Sequence, residues 1–194
     1  YKIDAAKKYG RAFKVNPGWL LALDKIGTTG ATALSHDMAQ RIVEVTGEVA
    51  AGVWQETAEW PPSQRFEIAV GPSPMPGARR FGLRVEGYSM DVEFAPGSVL
   101  DCLSIFDVAT DPENGDFVIV ERVRADGLRE LTVKQFFCDD EGRRWLLPRS
   151  TKPEFQSPIE IGRPDYDHDG DDRVQVIAFV IGSYQHHSNR LWKR

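Results

Sequence analysis

The chain has 194 residues, of which 41% are hydrophobic and 27% charged, with only two cysteines and a net charge of −5. That is enough chain to bury a core without staples, as one medium domain or a small domain plus a fragment, which excludes a disordered segment, a collagenous fibre and a disulfide scaffold. The negative balance speaks against a protein that coats nucleic acid along its whole length, and no apolar run approaches the roughly 20 residues that span a bilayer.

The start, Tyr1-Lys2-Ile3-Asp4, has no signal-peptide core, so a cytoplasmic protein without a membrane partner is expected. The charge is unevenly spread. Residues 1–38 carry six basic side chains against three acidic ones, a net of +3, which leaves −8 for the remainder. A basic start joined to an acidic body implies two units with different partners.

From Ile3 to Phe13 the apolar positions recur at helical spacing with lysines on the other face. Asn16-Pro17 breaks and restarts the chain, Asn as a helix cap and Pro at the first helical position, before Trp19-Leu20-Leu21. Residues 1–26 therefore read as two short amphipathic helices, too small to close a core alone. The segment AAKKYGRAFKVNPGWLL resembles the last two helices of a phage-repressor (XRE/Cro-type) helix-turn-helix domain. That resemblance implies an incomplete DNA-binding domain that contacts operator DNA, with its recognition helix upstream of Tyr1; an ordinary helical hairpin is the alternative.

Residues 27–44 read as a linker, small and polar through Met38. Beyond it the pattern becomes β. The runs RIVEVTGEV, FEIAV, FGLRVEG, SVLDCL, DFVIVERV, LRELTVKQFF, RWLLP and VQVIAFVIGSY are separated by Pro, Gly and Asp turns. Asp126-Gly127 between two alternating runs is a hairpin signal. The expected fold is mainly β, with one domain over residues 45–185 and a tail at 186–194. Cys102 and Cys138 sit singly in strand-like runs without metal or redox spacing and read as reduced structural thiols.

No nucleophile-elbow, zinc-protease or phosphate-loop motif occurs, and His36, His168, His186 and His187 fall in linker, loop and tail contexts. Asp165, Asp167, Asp169 and Gly170 fit the start of a calcium loop, but its twelfth position is Val176 in place of the bidentate Glu, so the segment reads as a solvated acidic turn. No metal or cofactor is expected. The phrase EGYSMDVEFAPGSVL, residues 86–100, places Ser89 at a strand-to-helix corner beside free backbone N–H groups, as an oxyanion site requires. Downstream, alternation puts Leu131 and Val133 on one strand face and Thr132, Lys134 and Phe136 on the other. A lysine buried there loses charge readily and becomes a usable base for a serine. Taken separately, a turn serine and a strand lysine have ordinary structural readings as well.

Together, the G-x-S-M phrase, the P-G turn and VKQF 45 residues after Ser89 resemble the serine-lysine peptidase domain of LexA-type and phage repressors, the S24 peptidases. The resemblance implies Ser89 as nucleophile, Lys134 as its base and the Ser89 and Met90 backbone N–H groups as oxyanion donors. It also implies self-cleavage at a small-residue bond upstream, and Ala51-Gly52 in TGEVAAGVW fits that place. The same family pairs as a homodimer through this domain and is induced by a RecA filament on single-stranded DNA. Two features depart from its pattern, Tyr88 before the Ser-Met pair and Asp91-Val92 after it. The competing readings are a non-cleaving dimerisation module, an accessory subunit of a translesion polymerase, against which the helix-turn-helix resemblance speaks, and a membrane-bound signal peptidase, which is disfavoured because no anchor is read in the sequence.

Overall fold

Alternating β-branched and aromatic residues with one buried face favour strands, and the turn residues between them set strand lengths. A computed structural model describes residues 41–57, 59–108, 110–162 and 173–185. The strands are β1 (Ile42–Ala50), β2 (Phe66–Ala69), β3 (Arg80–Glu86), β4 (Val99–Ser104), β5 (Phe117–Val123), β6 (Arg129–Cys138), β7 (Arg144–Leu147), β8 (Ile159–Gly162) and β9 (Arg173–Tyr184). Three one-turn 3-10 helices, Pro62–Gln64, Ile105–Asp107 and Pro153–Phe155, join them, and no α-helix occurs among the described residues. None of the described helices is long and apolar enough to cross a membrane. The helices expected in residues 1–26, the linker up to residue 40, the acidic turn and the tail from residue 186 lie outside the described residues.

The nine strands form one mixed sheet in the order β2-β1-β3-β4-β9-β5-β6-β7-β8. Only β1 and β3 pair in parallel; the other neighbours are antiparallel. The sheet curls until the chain beyond β1 meets the start of β6, where Gln55 and Arg129 exchange backbone hydrogen bonds of 2.8 Å. Six strands thus make a nearly closed ring around Val49, Leu83, Val85, Leu100, Cys102, Ile119, Val133 and Ala178, all buried. A second cluster, Val118, Val120, Phe136 and Leu146, lies on the other face of β5 and β6 under β7. The hairpin at Asp126-Gly127 joins β5 to β6, with Gly127 at φ 85° and the Asp126 carboxylate accepting the Leu128 N–H.

Strand β4 is buried along its whole length and nevertheless carries Asp101. Arg80 answers it from β3 with a bidentate pair, Nε to Oδ1 at 2.7 Å and Nη2 to Oδ2, while Nη1 donates to the Gly71 carbonyl. Cys102 and Cys138 are both free thiols, and burial pushes the Cys102 thiol well above its ordinary range.

Candidate active site

Strand β3 ends at Glu86, and Gly87 takes a positive φ of 84° that no β-branched residue would hold easily. The chain then winds through one helical turn in which the Glu93 and Phe94 N–H groups donate to the Met90 carbonyl at 3.0 and 2.7 Å. Met90 and Phe94 are buried in the ring core, which anchors the turn. Ser89 therefore sits at the corner between strand and turn. Among the described residues, neither the Ser89 nor the Met90 N–H donates a hydrogen bond, as expected for the first amides of a helical turn.

Lys134 reaches this corner from β6, where it lies opposite Val118 of β5. Its Nζ lies 3.1 Å from Ser89 Oγ, 2.6 Å from Thr132 Oγ1 and 2.9 Å from the Val133 carbonyl oxygen. Ser89 is 8% exposed and Lys134 3%. Burial lowers the Lys134 pKa from 10.5 to about 8, with Glu130 opposing that fall and Arg122 adding to it. A neutral amine has two hydrogens and one lone pair. Thr132 Oγ1 and the Val133 carbonyl take the two hydrogens, so the lone pair faces Ser89, whose hydroxyl then donates to it.

The residues that hold this corner are ones that sequence reasoning missed. The Arg149 N–H donates to the Ser89 carbonyl at 3.1 Å, and the Val92 N–H donates to the Arg149 carbonyl at 3.1 Å. Ser150 Oγ donates to the Tyr88 carbonyl at 2.7 Å, and the Asp91 carboxylate accepts the Thr151 N–H at 2.7 Å and the Thr151 hydroxyl. Those bonds hold the Asp91 carboxyl below its ordinary pKa. The Lys152 ammonium lies 3.5 Å from the centre of the Tyr88 ring. Tyr88 and Asp91, which depart from the resembled motif, thus join Ser89 and Val92 in fastening segment 149–152 to the nucleophile turn. Thr132 had a legible signal, being two residues before Lys134 on the same strand face; the partners across some 60 residues of chain had none.

The Ala51-Gly52 bond lies just beyond β1, whose last residue, Ala50, is in register with Glu86 at the end of β3. The chain turns there: the Val53 N–H donates to the Ala50 carbonyl at 3.2 Å, and Gly52 has φ 81°. The Gly52 N–H donates to Glu130 Oε1, and Glu130, 3% exposed, is paired with Arg122 at 2.9 Å. Glu130, Thr132 and Lys134 alternate along one face of β6. The turn carrying Ala51-Gly52 is therefore tethered to the same strand face that presents the amine, about 13 Å along the strand from Lys134 at its ordinary rise.

His36, His168, His186 and His187 and the aspartates of residues 165–169 lie outside the described residues. Among the described residues no group of three or more metal-ligating side chains comes together. A family model described as Peptidase S24-like matches residues 44–181, which takes in the Ala51-Gly52 turn, Ser89 and Lys134. No curated protein matches the chain.

Proposed function

The chain belongs to the Peptidase S24-like family, and from that premise we propose that it is a repressor of the LexA or phage type that inactivates itself by cutting Ala51-Gly52 with Ser89 and Lys134. The observation that carries this reading is the 3.1 Å contact between the buried amine and the serine hydroxyl. Neutral Lys134 takes the Ser89 proton as Oγ attacks the Ala51 carbonyl, and the Ser89 and Met90 N–H groups hold the resulting oxyanion. Collapse breaks the bond to the Gly52 nitrogen, which receives the proton from Lys134. Water then gives a proton to Lys134 as it attacks the acyl-Ser89 ester, Lys134 passes that proton to Ser89 Oγ as the ester bond breaks, and the Ala51 carboxylic acid leaves as its carboxylate after losing a proton to solvent. Attachment of the substrate to its own enzyme supplies a high effective concentration, so occupancy of the site by the turn sets the rate.

In this reading residues 1–26 belong to an operator-binding head, a second copy pairs through the β domain, and a RecA filament promotes occupancy. Cleavage separates the head from the pairing domain and thereby weakens operator binding.

The test is the pH profile of self-cleavage. Only the neutral amine works, so the rate should climb about tenfold per pH unit below the Lys134 pKa of about 8 and level off above it. A profile that keeps climbing to the ordinary lysine value of 10.5 would contradict a buried base. Glu130→Gln removes the negative charge that supports the ammonium, so the midpoint of that profile should move to lower pH. A midpoint that moves upward would show that Glu130 acts on Lys134 in some other way.

A further inference from the structure

We infer that Ser150 is a positioning residue for the oxyanion site: its hydroxyl, held between the Lys152 N–H and the Tyr88 carbonyl, fixes the peptide unit that ends in the Ser89 N–H. The inference rests on the proposed peptidase reading and names the side chain that aims one of its donors. Ser150 is buried, and its Oγ accepts the Lys152 N–H at 3.0 Å and donates to the Tyr88 carbonyl at 2.7 Å. A hydroxyl has one hydrogen and two lone pairs. With the Lys152 N–H on a lone pair, the hydrogen is committed to Tyr88.

The link to the oxyanion site is covalent geometry. The Tyr88 carbonyl and the Ser89 N–H belong to one planar trans peptide, so a bond that fixes the direction of the first fixes the second. The next peptide is held in the same way: the Ser89 carbonyl accepts the Arg149 N–H at 3.1 Å, which sets the plane of the Met90 N–H. Both donors are thus aimed from behind by two consecutive residues of one segment. A carbonyl that accepts a hydrogen bond also polarises its own amide, which makes the N–H a stronger donor. Gly87, just upstream, lends the backbone little stiffness of its own, so the orientation has to come from outside the turn.

Segment 149–152 can act as this brace because it is itself fixed. Asp91 holds the Thr151 N–H and hydroxyl, the Val92 N–H donates to the Arg149 carbonyl, and the Gln156 side chain donates to the Ser150 carbonyl at 3.0 Å. Lys134 Nζ bonds to Ser89, Thr132 and Val133 and not to Ser150, so the effect of Ser150 is separable from that of the base.

The test is the pH profile of self-cleavage in Ser150→Ala and Ser150→Thr, with the urea midpoint of each variant as the check on folding. Ser150→Ala should lower the alkaline plateau about tenfold, less than the roughly 10²–10³ that follows outright loss of an oxyanion donor, because the N–H stays and only its aim is lost. The midpoint of the profile should stay at the wild-type value. Ser150→Thr, which keeps the hydroxyl, should remain within about threefold of wild type. An unchanged plateau in Ser150→Ala, a shifted midpoint, or a Ser150→Thr no faster than Ser150→Ala would overturn the assignment. A wild type that never cuts itself would count against the peptidase reading. The amide-proton resonance of Ser89 would then decide the positioning role: it should move in Ser150→Ala and not in Ser150→Thr, and a resonance that stays in place in Ser150→Ala would overturn it.

Discussion

Ser89→Ala and Lys134→Ala are each expected to abolish self-cleavage, and combining them should cost nothing further. The two side chains act as one unit: without the amine the hydroxyl keeps its proton, and without the hydroxyl the amine has nothing to activate. Loss of a positioned base alone costs about 10²–10⁴ in rate, and loss of the nucleophile removes the covalent route altogether. Lys134→Arg should be as dead as Lys134→Ala, because a guanidinium stays protonated and offers no lone pair to Ser89. Fragment appearance over time at pH 9, above the Lys134 pKa of about 8, is the measurement. Substantial cleavage in Lys134→Arg would mean that the residue serves only as a positive charge.

The largest effect on stability is expected from Asp101→Ala. The carboxylate is 1% exposed and its partner side chain on Arg80 is 10% exposed, so removing one leaves the other charged and poorly solvated. Breaking a buried pair from one side costs about 3–5 kcal/mol, a large part of the roughly 5–15 kcal/mol that holds an ordinary domain folded. The urea midpoint should fall with an unchanged slope. Replacing both partners by apolar residues, Arg80→Met with Asp101→Leu, should recover most of the loss, because no charge is then buried. Cleavage per folded molecule should be unaffected, since the pair braces the start of β3 against the middle of β4 and touches neither Ser89 nor Lys134. A double variant no more stable than Asp101→Ala would show that the pair supplies geometry that packing cannot replace.

The strands were legible because alternation and turn residues agree. Val133 and Lys134 fall on opposite faces of β6 as the period of two requires, and Asp126-Gly127 marks the hairpin between β5 and β6. Strand β8 was missed: Ile159–Gly162 is only four residues long and stands between Pro158 and Pro164, too short to display a period. Ser89 and Lys134 could be named from local context and motif order, but their distance could not, since it depends on the register of β3, β4, β9, β5 and β6 across the sheet. Asp91 illustrates the limit. It looked like a departure from the family motif, and its partner Thr151 lies 60 residues away with no local feature to mark it. The same holds for Arg80 and Asp101, where a buried carboxylate in β4 makes sense only once β3 is beside it.

The central claim is that this chain cuts its own Ala51-Gly52 bond with Ser89. Its most direct test is intact-mass analysis of wild type and Ser89→Ala after alkaline incubation. Wild type should yield two fragments, one ending at Ala51 and one beginning at Gly52, while Ser89→Ala remains whole. Wild-type protein that stays intact at high pH, a break at another bond, or the same break in Ser89→Ala would contradict the claim.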